Sequence, residues 1–153
     1  MARVDQQVNT EYRHSVMIET ENGQKEVSTP YTNYKITVVK NIKGNIKKDK
    51  SIPITKAGGV DKDNSSVILF EDDNLPETNK LYVFLAYAQE DGSLLVSGPN
   101  SNILVGNSNK SEISTNLPLD EKASKVISSY EKAKTNQVVR ERIHFTSNFD
   151  ENK

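Results

Sequence analysis

No cysteine occurs anywhere in the chain, which removes disulfides, thiol nucleophiles and thiolate metal sites from consideration. Tryptophan is absent too, and apolar residues fill only 34% of the 153 positions, so any core must be lean and built from Val, Ile, Leu, Tyr and Phe. No apolar run approaches the roughly 18 residues that a membrane-spanning helix needs. Nor does Met1–Thr10 carry a secretory apolar region, so for an exported protein the expectation is a chain already trimmed of its signal peptide. An excess of one charge is also lacking. Twenty basic against 21 acidic residues leave a net charge of −1, which gives no global attraction to nucleic acid.

What is present reads as one domain over residues 1–153: a β-barrel over about 12–105, a helix over about 119–135 and an extended tail over 138–149. A chain of this length buries roughly 70% of its unfolded surface, enough for one core without staples. Tyr12, His14, Val16 and Ile18 alternate along Tyr12–Glu19, the period of a half-buried strand. Asn22-Gly23 then marks a turn. Along Tyr34–Ile42, residues Tyr34, Ile36, Val38 and Ile42 are expected on one face, until Lys43-Gly44-Asn45 breaks the strand. Ser51–Thr55 follows, with Pro53 arguing for an edge or a bulge. Gly58-Gly59 ends it, and Ser66–Phe70 reads as an apolar strand. Leu81–Ala88 is the most hydrophobic stretch, which suggests the central strand. Asp91-Gly92 forms a hairpin turn into Ser93–Ser97, and Asn102–Val105 adds a short strand.

The period changes in the last third. Leu119, Ala123, Val126, Ile127, Tyr130 and Ala133 recur at helical spacing, with Asp120 placed to cap the start and Lys132 and Lys134 suited to the C-terminal end. Such a stripe predicts a helix docked on its own domain. In the tail, Val139, Ile143 and Phe145 share an alternating face.

These strands carry a resemblance. Tyr34-Lys35-Ile36-Thr37-Val38-Val39 running into Ile42-Lys43-Gly44, then Ser51-Ile52-Pro53-Ile54 with Gly58-Gly59, then Lys80-Leu81-Tyr82-Val83-Phe84-Leu85 resemble the netrin-like domains. These are five-stranded OB-type barrels that include the tissue inhibitors of metalloproteinases and many small exported bacterial proteins. The resemblance spans about Tyr12 to Val105 and implies a mainly β fold, an OB-like barrel of five to six strands with a docked C-terminal helix. A β-sandwich plus helix is the alternative. The inhibitors chelate zinc through an N-terminal cysteine, and this chain begins Met1-Ala2-Arg3, so that mechanism has no residue to land on. The remaining implication is the bacterial branch: secreted or lipid-anchored surface proteins.

Catalytic patterns are scarce. The two histidines, His14 and His144, lie far apart in sequence without a His-x-x-x-His pair, and no Gly-rich phosphate loop or G-x-S-x-G elbow occurs. The acidic run Glu71-Asp72-Asp73 reads as solvated, with nothing apolar placed to raise one carboxyl for acid catalysis. Asp61, Asp63, Ser65 and Asp72 fall at positions 1, 3, 5 and 12 of a calcium-loop register, but Ser66 replaces its glycine and strands flank it, so an ordinary polar loop is the expectation. Charge is unevenly spread. Eight lysines against two aspartates lie between Lys35 and Lys62, among them the cluster Lys40, Lys43, Lys47, Lys48 and Lys50. That cluster is the candidate ligand surface, suited to an anionic polymer through counterion release. No cofactor is expected. The expected role is a non-enzymatic binding module of an exported or surface-tethered bacterial protein, acting on an unknown protein or an anionic surface polymer. The alternatives are a small enzyme with a carboxylate-based site, and polyanion or nucleic-acid binding through the OB-like face.

Overall fold

The computed structural model describes residues 1–107, 121–139, 141 and 143–151. Its dominant feature is one long antiparallel hairpin, β1 (Ala2–Thr20) and β2 (Gly23–Val38). The turn falls at Glu21-Asn22, one residue before the expected Asn22-Gly23, with Thr20 paired to Gly23. Gly23 takes a φ of +101° while Glu21 and Asn22 stay outside the left-handed region, so the glycine relieves the backbone just after the turn. Thr20 Oγ1 donates to the Gly23 carbonyl at 2.7 Å and closes the loop. Register shifts fall between Val4 and Gln6, Gln7 and Asn9, and Arg13 and Val16, each adding bend and twist. His14 lies in the third shift with a φ of +55°. The alternation expected from Tyr12 to Ile18 breaks there: Tyr12 is half-buried, whereas His14, Val16 and Ile18 are exposed.

The other strands are β3 (Ser51–Ala57), β4 (Gly59–Val60), β5 (Val67–Ile68), β6 (Lys80–Phe84), β7 (Ala86–Ala88), β8 (Leu94–Val96) and β9 (Asn102–Asn107). Seven of them form one sheet in the order β7-β8-β3-β2-β1-β6-β9, curled into a half-barrel, while β4 and β5 make a separate two-stranded ribbon. The sheet has more strands than the five or six expected. All its pairings are antiparallel except β3 with β8. Because β8 meets β3 only at Thr55 and Lys56, Pro53 sits in the half of β3 partnered on one side, where a missing N–H is tolerated.

The apolar run Leu81–Ala88 is not the centre of this sheet. It splits at Leu85 into β6, beside β1, and β7, at the far edge. Its apolarity has another cause: both faces of β6 are covered. Tyr82 joins a core with Ala2, Val4, Tyr34, Ile36, Val38, Ile52, Ile54, Leu94 and Val96. Leu81 and Val83 point the other way, into a second core with Val105 and the helix residues Ala123 and Ile127. Ile42 packs in this second core with Val39, and so leaves the Tyr34–Val38 face it was expected to share.

The helix α1 (Glu121–Thr135) docks through Ala123 and Ile127, with Val126 and Tyr130 partly covered. Ala133 is exposed, and Leu119 and Asp120 lie outside the described residues. In the tail, Val139, Ile143 and Phe145 are exposed and do not form a buried face. Among the described tail residues the return to the body comes at residues 147–149: the Asn148 N–H donates to the Gly92 carbonyl at 3.0 Å, and Phe149 packs on the first core while its carbonyl accepts the Lys47 N–H at 2.9 Å. Val67 and Ile68 are exposed too, so the apolar Ser66–Phe70 stretch shrinks to two paired residues outside the core.

Tyr34 is 1% exposed, and its hydroxyl finds no partner among the described residues. Burial, with Tyr82 adding to it, pushes that hydroxyl well above the ordinary tyrosine range. The folded state therefore holds the proton more tightly than the unfolded chain. Its contribution is complete below about pH 10 and lost as the pH rises beyond it. Tyr34→Phe removes an unsatisfied buried group and should raise stability at neutral pH by about 1 kcal/mol. It should also flatten the alkaline decline. A denaturation series from neutral to alkaline pH checks both, and an unaltered alkaline limb would refute the assignment.

Candidate functional site

The lysine cluster lies where the segment after β2 meets the C-terminal part of the chain. Lys40 Nζ pairs with Glu131 Oε1 of α1 at 2.6 Å, and Lys43 Nζ donates to Gln137 Oε1 at 2.8 Å. The backbone here is fastened by Ile46 bridging to Asp150 and by the Glu151 N–H donating to the Asn45 carbonyl at 2.8 Å. An open hollow of about 240 Å³ lies between Lys40, Asn41, Asn45, Lys48 and Glu151. The five lysines are thus neighbours along one connection, but two of them hold the helix region in place. Lys43, Lys48 and Lys50 are exposed, and Lys47 is half-buried.

Asp61, Asp63 and Ser65 lie in the turn between β4 and β5, and Asp72 lies in the loop that follows. Asp63 Oδ1 accepts from the Ser65 hydroxyl at 2.5 Å and from the Ser65 N–H at 2.9 Å. Those bonds hold the Asp63 carboxyl below the usual aspartate range, the Ser65 hydroxyl contributing most. Asp91 and Ser93 repeat the arrangement at the β7–β8 turn, also with the carboxyl held down by its serine. The shared Asp-x-Ser pattern is a turn device. Among the described residues no three His, Cys, Asp or Glu side chains gather closely enough to hold a metal ion.

His14 and His144 are both exposed. The His14 ring lies 6.3 Å from that of Tyr31, and the Arg13 guanidinium stacks over Tyr31 at 4.7 Å.

Two features escaped the sequence reading. The first is the arm. Among the described residues β1 pairs with β6 only at Ala2 and Arg3, and β2 pairs with β3 only from Thr32 onward. Beyond those points the hairpin continues as a two-stranded ribbon, and every residue from His14 to Glu26 is exposed, Val16, Met17 and Ile18 included. The stretch from Arg13 to Thr20 alone spans roughly 25 Å at strand rise. The ribbon is braced at two levels: Tyr12 donates its hydroxyl to the Val60 carbonyl at 3.2 Å near its base, and farther out Lys62 Nζ pairs at 2.9 Å with Glu26, the cross-strand partner of Met17.

The second is a buried ion pair. Lys56 Nζ lies 2.5 Å from Asp73 Oδ2, and both side chains are 1% exposed. Lys56 Nζ also donates to the Gly98 carbonyl and to Ser101 Oγ, each at 3.2 Å. Asp73 is therefore not the solvated carboxylate expected from Glu71-Asp72-Asp73. Alternation carried the signal for the lysine: Lys56 follows Ile52 and Ile54 at period two, so it must point inward with them. No local pattern marks Asp73.

Comparison with protein-family models, with curated proteins and with solved structures finds no match in any of the three.

Proposed function

We propose that this domain is a non-enzymatic binding module of an exported or surface-tethered bacterial protein, and that it reaches its partner with the β1–β2 arm. One observation carries the reading: a braced ribbon whose outer half exposes Val16 and Ile18 on one face and Met17 on the other. Exposed apolar side chains gathered at one place mark interaction surfaces. A strand with unpaired N–H and C=O groups is a template for β-addition, which proteins otherwise shield. The netrin-like resemblance supports the same reading, since it implies binding proteins.

The arm can be tested in place. A photo-crosslinking residue substituted at Met17, in cells that make the protein, should give a discrete adduct, while the same residue at Lys50 should give none. Met17→Glu should abolish the adduct from a crosslinker at Val16 and leave the melting temperature unchanged. Adducts from Lys50 alone would overturn the arm reading.

The second reading, a polyanion contact, rests on the exposure of Lys43, Lys48 and Lys50, of which Lys48 lines the hollow. Replacing these three by glutamate should eliminate retention on an anionic column, with retention of the wild type falling steeply as salt rises. A wild type that flows through at low salt removes this reading. The enzymatic alternative would need a carboxylate-based site, and a substrate screen yielding turnover that an acidic-residue variant abolishes would favour it.

A further inference from the structure

We propose that Lys56 and Asp73 are joined by an intramolecular amide bond between Nζ and Cγ, formed after the chain folds. The inference does not depend on the binding reading and rests on four features of the buried pair.

The amine and the carboxyl are already in contact, Nζ lying 2.5 Å from Oδ2, and both side chains are held in dry surroundings at 1% exposure. Fixing two reactants in this way converts a bimolecular condensation into a unimolecular one, with effective concentrations on the order of 10⁵ M or more for well-aligned groups. The first step of the reaction is transfer of one proton from Nζ to Oδ2 along their hydrogen bond, which gives the amine and the acid that condense.

The acceptors around Nζ suit that amine. It keeps two N–H bonds, and two acceptors remain for them, the Gly98 carbonyl and Ser101 Oγ. Ser101 gives its own proton to the Gly98 carbonyl at 2.5 Å, which leaves its oxygen free to accept. The amine's lone pair is then directed at Asp73. On the acid side, Oδ1 accepts the Asn74 backbone N–H at 2.8 Å. That donor points at the oxygen on which negative charge grows when Nζ adds to Cγ.

The step balances without an oxidant or a co-reactant. Nζ forms the new bond to Cγ, the Cγ–Oδ2 bond breaks, and Oδ2 leaves as water carrying the acid's proton and one from nitrogen. The product is a secondary amide whose remaining N–H still has an acceptor beside it. It would tie β3 to the loop ahead of β6, residues 17 apart in sequence, and so act in a cysteine-free chain as a disulfide does elsewhere.

The full chain, purified and measured by intact mass under denaturing conditions, decides the matter. The expected mass is lower than the sequence mass by one water, and a digest should yield a branched peptide containing Lys56 and Asp73. Lys56→Arg and Asp73→Ala should each show the full mass of their own sequence. Asp73→Asn should reach the wild-type linked mass by expelling ammonia. Water loss at Asp91-Gly92 through a cyclic imide would mimic the shift, but hydroxylamine cleaves that product and Lys56→Arg would retain it. A wild type at full sequence mass after prolonged incubation of the folded protein overturns the proposal, leaving a simple ion pair. So does a water loss that persists in Lys56→Arg.

Discussion

Ile127→Ala should lower stability by about 2–5 kcal/mol, the range for truncating a well-packed aliphatic side chain. Ile127 is 4% exposed and joins Ala123 to Leu81, Val83 and Val105 in the second core. That core is small. Among the described residues it contains five buried ones, so few contacts are there to absorb the gap. Against a total stability of about 5–15 kcal/mol, the loss is a large fraction. For a domain of this size each kcal/mol moves the melting temperature by roughly 2–4 °C. The control lies on the opposite face of the same helix. Lys125 pairs with Glu121 with 74% and 83% of the two side chains exposed, and Lys125→Ala should change stability by less than about 0.5 kcal/mol. Equal melting temperatures for the two variants would show that α1 is not integral to the domain.

The apolar stripe of α1 was legible in sequence because helical period and burial coincide at Ala123 and Ile127. The turns at Asn22-Gly23, to within one residue, and at Asp91-Gly92 were legible because their chemistry is local. The faces of β2 and β3 followed from strict alternation at Tyr34, Ile36, Val38, Ile52 and Ile54. What failed was long-range. The run from Leu81 to Ala88 suggested a central strand, yet nothing in a single run says which faces will be covered by a helix. The arm was missed for a related reason. Gln6 to Glu11 has little apolar character, and its strand state rests on pairing with β2, not on its own pattern. The lysine cluster was visible as composition, but the pairing of Lys40 with Glu131 and of Lys43 with Gln137 depends on how the helix docks. The ion pair was half-legible: periodicity turned Lys56 inward, while its partner came from a loop that reads as solvent-facing.

That pair carries the other large effect. Lys56→Met should lower stability by about 3–5 kcal/mol, because it leaves a carboxylate buried without its cation. The remaining described donor to Asp73, the Asn74 N–H at 2.8 Å, satisfies one oxygen and supplies no charge. The damage should extend beyond one contact. Asp73 holds the loop that also gives the Glu77 N–H to the Tyr82 hydroxyl at 3.0 Å and the Asn79 N–H to the Val4 carbonyl at 2.8 Å. Lys56→Met/Asp73→Leu fills the same space with apolar groups and removes the stranded charge, so it should be more stable than Lys56→Met alone. That ordering holds whether the native pair is ionic or amide-linked, since both variants lack the link and only one buries an unpaired acid. A double variant no more stable than the single one at neutral pH would show that Asp73 reaches water once Lys56 is gone.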